Sequence, residues 1–352
     1  MLESKFTKIA INIILILLIF FLLGQFSYLI NVFKVISTVI IVPLLMGGFF
    51  YYLLRPLTRF LSELVHNRYI SVLITFLLII GIIVFVSYFG GSIILTQMEE
   101  FINTISDFYQ SLREGERELF KIDDYLPMFD NINLEERIVS FVERLINIIK
   151  NNIGVLVSTI TNIGTTMILI PFVLFYLLVD DKQLWERIIS GFSQEKKDRY
   201  LPTFKKIDST LASYLNSQLL VALVLGVLTY LGYLIIGLPS ALILAIIAMV
   251  TSLIPFIGPI LGAIPALLIG LTANFYLIIK ILIVIFVVQQ LEGNVIRPNI
   301  QGGKLKIHPL VVIFTISISI ILFGFFGALF AVPVYAVLRI ILKDLVLTEG
   351  KI

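Results

Sequence analysis

Cysteine is absent from the 352 residues, and histidine and tryptophan are scarce, with two and one respectively. Without cysteine the chain has no disulfide, no thiolate nucleophile and no cysteine metal site. Charged residues are also few, because Asp, Glu, Lys and Arg make up only 14% of the chain, against roughly a quarter in soluble domains. No GxxxxGK[ST], HExxH or GxSxG motif occurs. These absences argue against an enzyme, and no cofactor is expected.

Apolar residues dominate the chain, at 59% of its length, and its mean hydropathy is +1.05. One soluble core could not bury so much apolar surface, so lipid must be the solvent, and in lipid long apolar runs become helices. About 20 helical residues cross a hydrocarbon core of roughly 30 Å. The first run is expected to be a retained anchor, because it is too long for a signal peptide. The predicted full spans are Ile9–Ile30, Val32–Leu54, Ser71–Thr96, Ile153–Val179, Leu211–Ile236 and Phe275–Leu291.

Lys and Arg mark the cytoplasmic loops of membrane proteins. Here they are frequent near the N-terminus, between residues 55 and 68, in Asp180–Asp208 with seven of them, and after residue 338. Gln97–Lys150 is the exception, with twelve acidic against six basic residues. This distribution predicts a multi-pass protein of the cytoplasmic membrane with both termini in the cytoplasm and Gln97–Lys150 outside. Apolar residues recur at three- and four-residue steps over Leu134–Ile149, which predicts an outer amphipathic helix.

Two further apolar segments, Ala241–Leu271 and Pro309–Leu342, are each longer than 30 residues and would overshoot the membrane as straight helices. Proline and glycine interrupt them at Ile254–Pro259 and near Phe323–Gly327. The charge distribution places the two loops that flank each segment on the same side of the membrane. Neither segment can then make a net crossing, so each is predicted to be a broken re-entrant hairpin. Two short spans, or one tilted and kinked helix, remain the alternatives.

Each predicted hairpin follows one full span, and the two units have opposite topology, so together they form an inverted repeat. Gly258–Ala263 in the first hairpin loosely echoes Gly324–Ala328 in the second. The fold class is therefore an all-α polytopic membrane protein, with about six full transmembrane helices plus two broken re-entrant helical hairpins in an inverted repeat. Its predicted parts are an N-terminal three-helix membrane region (residues 1–96), a small acidic extracytoplasmic helical segment (97–150), a fourth span with an amphipathic cytoplasmic segment (151–210), an inverted-repeat transport core (211–346) and a cytoplasmic tail (347–352).

Broken helices build binding sites in many secondary transporters, because their free ends and carbonyls face a cavity lined by protein. Proline removes a backbone donor, and glycine permits conformations that other residues avoid. Polar side chains in the neighbouring spans are further candidates. However, Glu292 also fits a salt bridge with Arg297 that only anchors the helix, and the breaks also fit structural kinks. The predicted substrate or ion pathway comprises Gln218, Pro255, Phe256, Gly258, Pro259, Gln290, Glu292, Asn294, Gly324 and Gly327.

Several stretches stand out as a set: Pro171-Phe172 with Phe175–Asp180, Gln218–Ala222, Ile254–Pro265, Gln289–Asn294 with Pro298, His308–Leu310 and Phe330–Pro333. Together they resemble the AI-2E family of transporters, over essentially the whole chain and most clearly from Pro171 onward. The resemblance implies a bacterial inner-membrane protein that is homo-oligomeric. Some members are similar to exporters of the quorum signal autoinducer-2, and others look like Na⁺/H⁺ antiporters.

Three functions are consistent with this reading. The leading hypothesis is a secondary transporter that exports a small polar solute such as autoinducer-2. The second is a Na⁺/H⁺ antiporter of the same family, with Glu292 as the titrating carboxylate. The third is a membrane scaffold that presents Gln97–Lys150 to a partner and transports nothing. The expected partners are a small polar solute or cation, membrane lipid and further copies of the chain, with no nucleic acid.

Overall fold

A computed structural model of the chain describes residues 37–113, 164–181, 183–302 and 307–349, together with the single positions 14, 15, 18, 140 and 144. Every regular element in these ranges is helical, which confirms the all-α prediction for them. Among the described residues, five stretches are long and apolar enough to cross a membrane, namely Val39–Val65, Arg68–Phe108, Gln194–Ile235, Phe275–Gln301 and Pro309–Asp344. The chain is therefore a polytopic membrane protein. Apart from the single positions, the predicted span Ile9–Ile30 and outer helix Leu134–Ile149 lie outside the described residues.

The helices are numbered here in chain order. A π-helical turn, Ser37–Ile41, leads into α1 (Val42–Val65), which is followed by α2 (Arg68–Arg113), α3 (Gly164–Val179), α4 (Leu184–Ile188), α5 (Gln194–Ile235), α6 (Ala241–Thr251) and α7 (Ile257–Ala273). After them come α8 (Phe275–Leu291), a second π-helical turn (Glu292–Ile296), α9 (Arg297–Gln301) and α10 (Pro309–Glu349). The bounds of α8 are those predicted. In contrast, α5 begins before its predicted span, because no glycine or proline separates residues 203–225 and the amphipathic lead-in continues directly into the membrane.

The N-terminal arm consists of α1, α2 and α3. A Cβ added at Gly47 on α1 would lie 2.6 Å from Val173 Cγ1 on α3, so only glycine permits this close approach. The hydroxyls of Thr58 and Thr75, both fully buried, lie 3.1 Å apart and join α1 to α2. The far end of α2 reaches the rest of the bundle, where the Gln97 amide oxygen accepts a hydrogen bond from the backbone N–H of Leu242 at the start of α6. This contact satisfies a donor that a helix start leaves free.

The first helical hairpin is formed by α6 and α7. They are separated by a non-helical tip, residues 252–256, at the predicted break. A Cβ at Gly258 would overlap the Thr251 carbonyl, and one at Gly262 would lie 2.7 Å from the Cα of Ala248. The later glycine of α7 contacts the earlier residue of α6, so α7 runs antiparallel to α6. The two arms touch backbone to backbone because glycine stands at the crossing.

The second helical hairpin lies within α10. The helix breaks at Gly324, whose φ of 60° and ψ of −142° are not helical, and this confirms a break within Phe323–Gly327. A Cβ at Gly327 would overlap the carbonyl of Ser319. Eight residues of straight helix span about 12 Å, so this contact requires the second arm to fold back on the first. Gly327 is thus the counterpart of Gly258, because each packs on a carbonyl of the preceding arm. The sequence similarity aligned Gly258 with Gly324 instead, and that alignment is wrong by three residues.

Candidate functional site

A cavity of about 660 Å³ lies where α5, the tip of the first hairpin, α9 and the second hairpin meet. This volume is in the range of small-molecule sites, roughly 300–1,000 Å³. Its lining residues are Ser209, Thr210, Ser213, Tyr214, Ser217 and Gln218 from α5, Pro255 and Phe256 from the tip, Gly293, Arg297, Pro298 and Gln301, and Ile307, Val312 and Val332. The cavity is thus polar along α5 and apolar where the second hairpin closes it.

Helix α5 supplies the polar side of this cavity. Its hydroxyl residues Ser209, Ser213 and Ser217 recur every four positions, so they share one face of the helix. Ser209 is exposed, whereas Gln218, at the other end of the lining segment of α5, is only 3% exposed. The cavity therefore opens at the Ser209 end and is closed at Gln218. Gln218 was predicted from the sequence but the serines were not, although their four-residue spacing is a signal that the sequence contains.

Gln218 is buried, and both the nitrogen and the oxygen of its amide are hydrogen-bonded. Its Nε2 donates to the carbonyl of Ser252 at 2.8 Å, and its Oε1 accepts from the Nε2 of Gln301 at 2.8 Å. Ser252 ends α6, where the last carbonyls have no donor within the helix. The amide of Gln218 supplies one, and the hydrogen-bond chain Ser252–Gln218–Gln301 connects the first hairpin through α5 to α9.

Phe256 is the strained residue of the first hairpin tip. Its φ is 64° and its ψ is −48°, a backbone conformation that L-residues other than glycine avoid and that clusters at functional sites. The ring is 48% exposed and lines the cavity. The guanidinium carbon of Arg297 lies 6.0 Å from the ring centroid, within reach of a cation–π contact. Residue 256 thus places an aromatic face beside the charged side chain of Arg297 in the cavity wall.

Glu292 and Arg297 form the ion pair that their spacing permits. Arg297 Nε donates to Glu292 Oε1 at 2.8 Å, and Nη2 lies 2.5 Å from the same oxygen. Glu292 is only 3% exposed, and its Oε2 is buried without a hydrogen-bond partner. The pair spans the π-helical turn Glu292–Ile296, an irregularity often found at functional sites. The anchoring salt bridge considered from the sequence is present, and it leaves one carboxylate oxygen free.

The other predicted pathway residues are dispersed. Gly258 and Gly327 are buried where the hairpin arms cross, and Gly324 is exposed at the second break. Gln290 and Asn294 are exposed and line neither this cavity nor the smaller one that Pro259 lines. Pro255, Phe256 and Gln218 therefore meet at one cavity, and the remaining residues of the predicted set do not join them.

An arginine–aspartate cluster at the other side of α5 was not anticipated. It comprises Arg55 and Arg59 of α1, Arg68 of α2, Asp181 after α3 and Asp208 of α5. Arg55 Nε lies 2.6 Å from Asp181 Oδ1, and Arg55 Nη1 lies 2.9 Å from Asp208 Oδ2. Arg59 Nε and Arg68 Nη2 lie 2.8 and 3.0 Å from Asp181 Oδ2. The cluster therefore ties the N-terminal arm to the helix that lines the cavity.

Asp181 is the centre of this cluster, with a fully buried side chain. Its Oδ1 also accepts a hydrogen bond from the Tyr51 hydroxyl at 2.9 Å. Burial opposes ionisation of this carboxyl, but hydrogen bonds from Arg59 and Tyr51 and the charge of Arg55 outweigh it. They lower the pKa of Asp181 below its ordinary value. In the sequence analysis these arginines served only as markers of orientation, because nothing local to them indicates a partner more than 100 residues away.

Comparison with known proteins agrees with the polytopic helical fold. The model of the AI-2E family transporters matches residues 9–347. The chain is 32% identical over 351 residues to "Putative transport protein YueF" of Bacillus subtilis (strain 168), covering 98% of this chain and 95% of that protein. It is 25% identical over 317 residues to "Putative permease PerM" of Escherichia coli (strain K12), covering 86% of each. The chain belongs to the AI-2E family of transporters and is a membrane transport protein rather than an enzyme.

Proposed function

We propose that this protein is a secondary transporter that binds a small polar solute in the 660 Å³ cavity. The observation that carries the proposal is the convergence of both broken hairpins on this cavity, through Pro255 and Phe256 of the first and Val312 and Val332 of the second. We further propose that the hairpins are re-entrant and form an inverted repeat, because secondary transporters place their sites between such units.

The chemistry of the lining favours an uncharged solute with several oxygens. Hydroxyls and amides of α5 and α9 offer both donors and acceptors. Among the described residues that line the cavity, Arg297 is the only charged one, and its charge is paired with Glu292. A solute with a full charge would therefore meet no unpaired counter-ion. Export of autoinducer-2 fits this lining and the family, and it is our specific proposal for the substrate.

Solute flux in reconstituted vesicles tests the proposal. We expect autoinducer-2 to cross the vesicle membrane with the protein and not without it. Ser213→Leu should lower the flux at least tenfold, because it fills the cavity and removes a hydroxyl. Asn216→Ala is the matched control, since Asn216 lies on the same helix but donates only to the carbonyl of Ala212. Equal flux in both variants would reject the cavity as the site.

A Na⁺/H⁺ antiporter is the second candidate, and one observation favours it. Glu292 is buried and its Oε2 has no partner, as a cation- or proton-binding carboxylate would require. If antiport is the function, sodium should drive proton movement in the vesicles, and Glu292→Gln should abolish it. If autoinducer-2 moves without proton-linked sodium flux, export is correct. A protein that moves neither would support the scaffold hypothesis.

Single cysteines test the proposed re-entrant hairpins, because the chain has none of its own. Pro239 and Asn274 are exposed and flank the first hairpin. Cysteines at both positions should react with a membrane-impermeant reagent from the same side, opposite to His308→Cys and Lys343→Cys, which flank the second. Ser240 is unsuitable for this purpose, because it is buried and its hydroxyl donates to Glu100. Labelling of Pro239→Cys and Asn274→Cys from opposite sides would refute the inverted repeat.

A further inference from the structure

A second cavity, of about 30 Å³, lies deeper in the bundle than the first. Its volume suits about one water molecule. Thr229, Ser252 and Gln289 give it polar groups from α5, the end of α6 and α8. The rest of its lining is formed by Leu225, Tyr233, Ala248, Pro259, Gly262, Ala263, Val284, Ile285 and Val288. The membrane-embedded bundle thus holds a small polar space beyond the closed end of the large cavity.

Both cavities lie along one face of α5. Tyr214 and Gln218 line the first, and Leu225, Thr229 and Tyr233 line the second. Successive members of this series are four, seven, four and four residues apart, which is the spacing of a single helix face. Gln218 and Thr229 are separated by eleven residues, or about 16 Å along the helix. The two spaces are therefore arranged in line rather than on different sides of the helix.

The partition between them includes a single hydrogen bond. Its donor, Gln218, lines the first cavity, and its acceptor residue, Ser252, lines the second. Two residues of α5 lie between Gln218 and Leu225 on this face, Val221 and Ala222, which are 0% and 1% exposed. Val221 packs with Leu225 and Val288, which line the second cavity, and forms the apolar part of the partition. The Gln218 amide forms its polar part.

We propose that the hydrogen-bond chain Ser252–Gln218–Gln301 is a gate between two segments of one translocation pathway along α5. This proposal rests on the proposed transport function. A neutral hydrogen bond contributes little net free energy when another partner can replace it. A hydroxyl of an entering solute can therefore take the place of the Ser252 carbonyl or of Gln301, which frees the amide and opens the way to Thr229.

Thiol accessibility at the second cavity tests the gate. In Thr229→Cys the introduced thiol is the only one in the chain. We expect it to react slowly with a small, membrane-impermeant methanethiosulfonate from either side, in right-side-out and inside-out vesicles. Adding Gln218→Ala should raise the rate at least tenfold, and only from the side on which Ser213→Cys reacts. Asn216→Ala, an amide removed two residues away, should change the rate less than twofold.

An unchanged rate in the Gln218→Ala background, or an increase from the opposite side only, would overturn the gate. An equal increase with Asn216→Ala would mean general loosening and would overturn it as well. If Gln218→Ala fails to assemble, Gln301→Ala removes only the donor to Gln218 and should still raise the rate several-fold. Labelling reports access and not flux. Gated labelling without solute flux would therefore reject the transporter, and flux with ungated labelling would reject the gate.

Discussion

Removing the buried charge of Asp181 should destabilise the protein strongly. The substitution Asp181→Asn keeps the shape of the side chain but leaves Arg55, Arg59 and Arg68 without their shared counter-ion. It also converts one of the two acceptor oxygens into an amide donor that faces arginine donors. The expected result is a junction between the N-terminal arm and α5 that is loosened rather than lost, because Arg55 and Tyr52 of α1 would still contact Asp208.

The expected loss of stability depends on how exposed the three arginine side chains are. Loss of one partner from a buried ion pair costs about 3–5 kcal/mol, since the remaining charge is uncompensated. The side chains of Arg55 and Arg68 are only 11% and 17% exposed, whereas that of Arg59 is 46% exposed and water screens it. Asp208 still compensates Arg55 in part. We therefore expect a loss of about 3 kcal/mol in the free energy of unfolding, at the lower end of that range.

Denaturant unfolding in detergent, followed by the fluorescence of the single tryptophan, Trp185, measures this loss. Asp180→Asn is the matched control in the neighbouring position. Asp180 pairs with Arg187, whose side chain is 60% exposed, and such exposed pairs contribute about 0–1 kcal/mol. If Asp181→Asn is no less stable than Asp180→Asn, the cluster does not stabilise the junction and the reasoning from burial is wrong.

Acid should weaken the same junction, because the pKa of Asp181 is lowered in the folded protein. The ionised carboxylate contributes its full stabilisation above the ordinary aspartate pKa of about 3.9, and this contribution is lost as the pH falls through the lowered value. Unfolding curves of wild type and Asp181→Asn should therefore converge only below about pH 4. Gly258→Val should cost at least about 2 kcal/mol and stop solute flux, because the side chain would overlap the Thr251 carbonyl. Gly48→Val, with no atom near its added Cβ, should do neither when unfolding and flux are measured. Glu292→Gln should leave the pH profile of solute flux unchanged if the carboxylate only anchors Arg297, and a shifted profile would place it in the mechanism.

Local chemistry explains which parts of the fold could be predicted from the sequence. The break at Ile254–Pro259 was predictable because two prolines and a glycine remove donors and permit unusual backbone angles within five positions. The start of α8 was predictable because Asn274 caps it, where its side chain accepts from the backbone N–H of Leu277. Both signals lie within a few residues of the feature that they specify.

Long-range pairings were not predictable in the same way. Asp181 meets Arg55 across 126 positions, and no periodicity links the two. The polar face of α5 was visible as a serine repeat, but the partners that close the cavity come from the tip, α9 and the second hairpin. Gln290 and Asn294, predicted pathway residues like Glu292, are exposed while Glu292 is buried, because residues two positions apart do not share a helix face.

The position of the arginine–aspartate cluster indicates which part of the site moves. Asp208 is held by Arg55 and Tyr52, and the next residue, Ser209, already lines the cavity. The polar wall on α5 is therefore fixed to the N-terminal arm. The arms of the first hairpin are fixed as well, because Gly258 and Gly262 leave no space between α6 and α7. The tip between them, residues 252–256, lies between the helical arms and includes the strained Phe256. We therefore expect the proposed opening of the Ser252–Gln218 contact to involve the tip rather than the packed arms, whose separation would break their close backbone contact.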